Sequence, residues 1–162
     1  VRAGGCGRSL LIAGFGNPMM GDDGIGPAVI RRLSRSTLPA AVTCLELSDV
    51  LQLPAAWSGQ DEVWMVDAVS GGAPPGTIHR VRHEDIPTLA RERTTVHHLG
   101  LGEGVRWVLH AYPEMAGVRF RLWGVEPESV SPVEALSAVV EQAVVRLANE
   151  ISVALQGREG GC

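Results

Sequence analysis

Residues 9–26 read SLLIAGFGNPMMGDDGIG, and this stretch sets the reading of the whole chain. Residues 9–13 (SLLIA) are a short apolar run closed by glycines, the pattern of a strand buried on both faces. Residues 14–21 follow as a loop. Asp22 or Asp23 then caps a helix that runs to about Ser36, with Ile25, Val29, Ile30 and Leu33 on its inner face. Strand, glycine loop and helix in that order open an α/β unit.

The alternation continues downstream. Residues 42–47 form a second strand and residues 50–57 a short helix. Residues 62–66 (EVWMV) form a third buried strand, with Asp67 at its carboxyl end. After the turn-rich GGAPPG segment, residues 77–82 suit an edge strand. Residues 99–111 suit a helix despite three glycines, and residues 118–125 a further strand. The clearest helix spans residues 132–155, with Val133, Leu136, Val140, Val144, Leu147 and Ile151 at helical spacing. Both ends, residues 1–8 and 156–162, read as frayed. The pattern predicts one α/β domain over residues 1–162, a three-layer αβα arrangement on a mostly parallel sheet. Ligands of such sheets bind beyond the carboxyl ends of the strands.

Composition narrows the function classes. Apolar residues make up 45% and charged residues 20%, ordinary for a globular domain. A net charge of -4, with basic residues scattered along the chain, argues against nucleic acid or an anionic membrane as partner. No apolar run is long enough to span a bilayer, and the amino-terminal stretch lacks the apolar core of a secretory signal. The three cysteines, Cys6, Cys44 and Cys162, show no C-x-x-C spacing. A reducing cytoplasmic setting is the simplest expectation.

The glycine loop suggests a dinucleotide site, but G-x-G-x-x-G needs glycine where Met19 stands. Twin carboxylates at the helix start would also repel a pyrophosphate. Glu46, near the end of the second strand, keeps that alternative open as a ribose-binding acid. Of Asp22 and Asp23, one suffices as a cap, which frees the other to face the crevice. Asp67 ends a buried strand, where an unpaired carboxylate is costly unless it faces a crevice or a partner. His97 and His98 lie in TTVHHLGL, ahead of a helix. Two acids and an imidazole from three loops make a plausible oxygen and nitrogen site for a divalent transition metal. His79 and His83 have no acidic partner at a diagnostic spacing, and His110 reads as a surface residue. There is no G-x-S-x-G elbow and no H-E-x-x-H.

Four blocks, in order, resemble the hydrogenase maturation proteases. They are Gly14-Phe15-Gly16-Asn17-Pro18 through Asp22-Asp23-Gly24-Ile25-Gly26; Val66-Asp67-Ala68 with Pro75-Gly76-Thr77; His97-His98-Leu99-Gly100-Leu101; and Gly124-Val125-Glu126-Pro127-Glu128-Ser129. The resemblance implies a phosphorylase/hydrolase-like αβα fold. It implies an endopeptidase that removes the carboxyl-terminal extension of the precursor large subunit of a nickel–iron hydrogenase after nickel insertion. Matched motif to motif, the metal-contacting residues are Asp23, Asp67 and His97; for the hydrolysis itself a carboxylate can act as general base for water, and Asp23 or Asp67 is the candidate. The nickel belongs to the substrate and acts as a recognition label, and no organic cofactor is implied. Where many members carry a Gly-Gly-Thr-type segment linked to substrate choice, this chain has Leu47-Ser48-Asp49-Val50-Leu51-Gln52. A non-catalytic nickel chaperone could use the same ligands, and cleavage would tell the two apart.

Overall fold

The computed structural model describes residues 8–86 and 101–159. One sheet contains β1 (Leu10–Phe15), β2 (Val42–Leu47), β3 (Glu62–Ala68), β4 (Ile78–Arg82) and β5 (Arg119–Val125), in the order β2-β1-β3-β5-β4. β1 runs parallel to β2 and β3, and β3 parallel to β5. β4 lies antiparallel to β5 at the edge, where residues 77–82 were expected. The helices are α1 (Ile25–Leu33), α2 (Leu53–Ala56), α3 (Leu101–Ala111) and α4 (Ala138–Glu159).

Side-chain alternation sends each strand into two cores. Leu10 and Ile12 of β1, Trp64 and Val66 of β3, and Trp123 and Val125 of β5 pack with α1 and α4. Leu11, Ala13 and Phe15, Val63 and Met65, and Phe120 and Leu122 pack with α2 and α3. The sheet is therefore covered on both faces, the three-layer arrangement that the continuous apolar runs predict. Each fully buried Leu, Ile or Val contributes on the order of 1.5–3 kcal/mol through loss of contact with water.

The long carboxyl-terminal helix begins at Ala138, six residues later than its apolar spacing suggests. The cause is Asp22. Its carboxylate accepts from the Ser137 amide and hydroxyl, which stops residues 132–137 from entering the helix. Val133, expected in the core, is instead 52% exposed. At the other end α4 continues through Glu159, past Gln156 where fraying was expected. Arg158 secures that last turn by donating to Glu62 at 2.8 Å and to the Arg8 carbonyl at 2.9 Å.

Strand order fixes where a site can form. From β1 the chain moves outward to β2 and then returns to β3 on the other side, so a crevice opens between the carboxyl ends of β1 and β3. Asp23 follows β1, and Asp67 is the penultimate residue of β3. Close approach of α1 to β1 holds the crevice shut below: a Cβ on Gly14 would run into the Gly26 backbone. Gly16, at φ 125°, turns the chain back over the Asp23 backbone in a conformation that side chains rarely adopt. Among the described residues, no helix is long and apolar enough to cross a membrane.

Candidate active site

The two aspartates of the Asp22-Asp23 pair have separate roles, and neither caps a helix. The 3-10 turn Gly21–Gly24 and α1 both start without a side-chain cap. Asp22 is fully buried. Its Oδ2 accepts from the amides of Glu128 (2.8 Å) and Ser129 (2.9 Å) and from the Ser137 hydroxyl (2.9 Å), and its Oδ1 accepts from the Ser137 amide at 2.7 Å. Two backbone bonds reinforce this tie, Gly21 N–H to the Val133 carbonyl and Asp22 N–H to the Ser129 carbonyl. Asp22 thus fastens the loop after β5 to the loop after β1. Asp23 is only half-buried and, among the described residues, accepts a single bond, from the Asn17 amide at 2.8 Å. Most of its lone pairs remain available.

Asp67 shares the strand parity of Val63 and Met65, so it leans toward the face covered by α2 and α3. Its Oδ1 accepts from the Ala68 amide at 2.8 Å. Burial pushes its carboxyl group up to about 8, opposed by the Ala68 hydrogen bond and assisted by the negative charge of Asp23. Such an acid sits where it can hold or release a proton near neutrality. The influence of Asp23 on Asp67 fits their places after the adjacent parallel strands β1 and β3.

His97 lies outside the described residues, as does His98. α3 starts at Leu101, four positions beyond His97 in the sequence, and α3 covers the face toward which Asp67 leans. Among the described residues, no group of three or more His, Cys, Asp or Glu side chains is gathered in a way that could hold a metal. The described part of the candidate site is therefore the pair Asp23 and Asp67.

The third loop at this end, quoted above for its resemblance, was assigned no role from sequence. Glu126, at the end of β5, is 3% exposed and accepts through Oε1 from the amides of Gly71 (2.7 Å) and Ala73 (3.2 Å). His79 lies 2.8 Å from the same oxygen through Nε2. Burial would raise the Glu126 carboxyl, but the bonds from His79, Ala73 and Gly71 outweigh it and hold the group below its ordinary value. His79 has no acidic partner at a diagnostic spacing in sequence, yet it finds one in the fold. The two residues are 47 positions apart in sequence, and only the antiparallel pairing of β4 with β5 joins them. Glu126 thereby pins the loop after Asp67.

The remaining sequence candidates are structural. His83 accepts the Phe120 amide on Nδ1 at 3.0 Å and stacks on the Phe120 ring. His110 is exposed, as expected. Glu46 forms a two-point ion pair with Arg31, both contacts at 2.9 Å, so it is already engaged and does not wait for a ribose. Cys44 is a free thiol, half-buried and pushed up to about 11 by burial, which suits a packing role better than a nucleophile.

Comparison with known proteins agrees with this fold. The family model for hydrogenase maturation protease matches residues 29–154, a span that includes Asp67 and His97. Over 155 residues the chain is 31% identical to the Hydrogenase 2 maturation protease of Escherichia coli (strain K12), covering 94% of this chain and 92% of that protein. Its fold is similar to that of the hydrogenase maturating endopeptidase HybD from E. coli, with a TM-score of 0.77, 27% identity and 94% of each chain covered. It is also similar to the NiFe hydrogenase maturation protease HycI from Thermococcus kodakarensis KOD1, with a TM-score of 0.73, 26% identity, and 93% of this chain and 94% of that one covered. The chain belongs to the hydrogenase maturation protease family, hydrolases that act on peptide bonds.

Proposed function

We propose that this chain removes the carboxyl-terminal extension from the precursor large subunit of a nickel–iron hydrogenase once nickel is in place, and that Asp23, Asp67 and His97 meet the nickel carried by that substrate. What supports the reading is the placement of Asp23 after β1 and of Asp67 at the end of the adjacent parallel strand β3, with Asp67 pushed up to about 8 by burial and, in smaller part, by Asp23. Two carboxylates that repel each other in a half-dry crevice are an unfavourable arrangement until a cation joins them. Nickel(II) accepts carboxylate and imidazole ligands beside the thiolates of its own protein. Specificity then follows from metal occupancy, with little need for side-chain pockets. For the hydrolytic step, an aspartate-type mechanism fits: Asp23 or Asp67 takes a proton from water at the scissile carbonyl. The site of action is the cytoplasm, in keeping with the free Cys44 thiol.

The test is cleavage of precursor prepared with and without nickel. Nickel-loaded precursor is expected to lose its extension and nickel-free precursor to stay intact. Equal cutting of both would remove nickel from the recognition step. Loaded precursor that is bound and released uncut would make the chain an assembly factor.

The adjacent histidines separate next. The resembled pattern is His, a variable residue, then Leu-Gly-Leu, which places His97 at the ligand position and His98 at the variable one. His97→Ala is expected to weaken nickel binding and processing, with His98→Gln keeping most of both. Calorimetry with nickel, paired with a cleavage assay, reads the difference. The opposite ranking would move the ligand by one residue.

A further inference from the structure

At the opposite end of the sheet from the Asp23–Asp67 crevice, the strand ends and the last turns of α4 enclose a second cleft of about 610 Å³. Five arginines line it, Arg8, Arg82, Arg119, Arg121 and Arg158, against two glutamates, Glu62 and Glu84. The chain as a whole carries a net charge of -4, so this is a local reversal of sign. In sequence the basic residues are scattered; the topology gathers them.

The arginines differ in how they are held. Arg158 donates to Glu62 and lies 5.4 Å from the centre of the Trp64 ring. Arg121 rests over both Trp64 (5.3 Å) and Trp123 (5.5 Å). Stacking of this kind orients a guanidinium without using up its N–H donors. Arg82 and Arg119 are exposed and, among the described residues, form no ion pair or side-chain hydrogen bond. Arg82 also lies directly opposite Arg121 in the β4–β5 register. Like charges facing each other across a strand pair are destabilising. Arg119 adds a third guanidinium two residues along the same side of β5.

We infer that this cleft is a docking site for an extended acidic segment of a partner polypeptide, independent of the cleavage site. The spacing favours a strand-like ligand. Arg119 and Arg121 are two strand residues apart, roughly 6.6 Å, the repeat of alternate side chains in an extended chain. Guanidinium groups pair with separate carboxylates through two parallel N–H bonds. A compact polyanion fits less well, because Glu62 and Glu84 would repel charge concentrated between the arginines. Glu62 to Asp67 is five steps along β3, roughly 17 Å, so an occupant of the cleft leaves the crevice open.

The probe is a fluorescently labelled hexaglutamate peptide, titrated by polarisation at about 0.15 M salt, a Debye length of ~8 Å. Hexalysine, inorganic phosphate and a single-stranded oligonucleotide serve as comparisons. Hexaglutamate is expected to bind, and the R82E/R119E double variant to bind at least about tenfold more weakly. The R82K/R119K variant should keep most of the affinity. Arg82→Gln should leave the melting temperature unchanged or raise it, because it relieves the facing like charges; a merely structural arginine would lower it. Absence of hexaglutamate binding, or equal binding by the double variant, would overturn the inference. Tighter binding of phosphate or the oligonucleotide through the same arginines would also overturn it, in favour of a phosphate site.

Discussion

Asp22→Ala is expected to destabilise the fold by about 3–5 kcal/mol, whereas Asp23→Ala changes stability by less than about 1 kcal/mol. Asp22 is fully buried and satisfies three backbone amides and one hydroxyl. Its removal strands those donors away from water, each at a cost of roughly 1–3 kcal/mol before the loop relaxes. For a chain of this size the loss corresponds to a drop in melting temperature of about 8–15 °C. Asparagine should not rescue it. Whichever way the amide is turned, its NH2 group must face a backbone N–H, since both carboxylate oxygens now accept from one. Asp23 gives up only the Asn17 amide, at a half-exposed position. Urea denaturation of the two alanine variants reads the contrast. Similar losses would mean that the pair shares the load and that Asp23 is not free for chemistry.

That contrast also marks how far the sequence can be read. The buried runs of β1 and β3 announce themselves because a strand covered on both faces must be apolar throughout. Asp67 stands out by the same logic, as the acid at the carboxyl end of such a run, where ligands of parallel sheets bind. The division of labour between Asp22 and Asp23 does not show, because both suit a helix start equally well. What separates them is a partner segment 106 to 115 residues away. The same long-range bond hides the true start of α4, since residues 132–137 carry apolar spacing that a local reading assigns to the helix. Glu126 with His79, and the arginines of the second cleft, are likewise products of β4–β5 pairing and of the return of α4 across the sheet. Motif spacing captures what one loop does; it is silent on which loops are tied together. His97 rests on motif resemblance alone.

Asp67→Asn is expected to stabilise the protein and to stop cleavage. Burial and the charge of Asp23 raise the Asp67 carboxyl from 3.8 to about 8. An acid raised in the folded state contributes stability that is fully present below its unfolded value and is lost as pH climbs through the folded value. Between about pH 4 and pH 8, therefore, wild type pays an increasing penalty to ionise Asp67. A rise from 3.8 to about 8 bounds that penalty at about 6 kcal/mol, and water in the half-open crevice should leave about 1–3 kcal/mol of it. Asparagine keeps the shape and can still accept from the Ala68 amide, so it removes the penalty alone. In chelator-treated protein, the variant and wild type should melt together near pH 4. By pH 8 to 9 the variant should melt higher by roughly 3–10 °C. Cleavage of nickel-loaded precursor should fall by at least about a hundredfold, the scale of a lost general acid or base. The two readouts separate two ideas. A flat difference in melting temperature across pH would show that Asp67 is already paired in the folded state. Retained cleavage with the expected stabilisation would leave Asp67 a strained bystander and move the proton-handling role to Asp23.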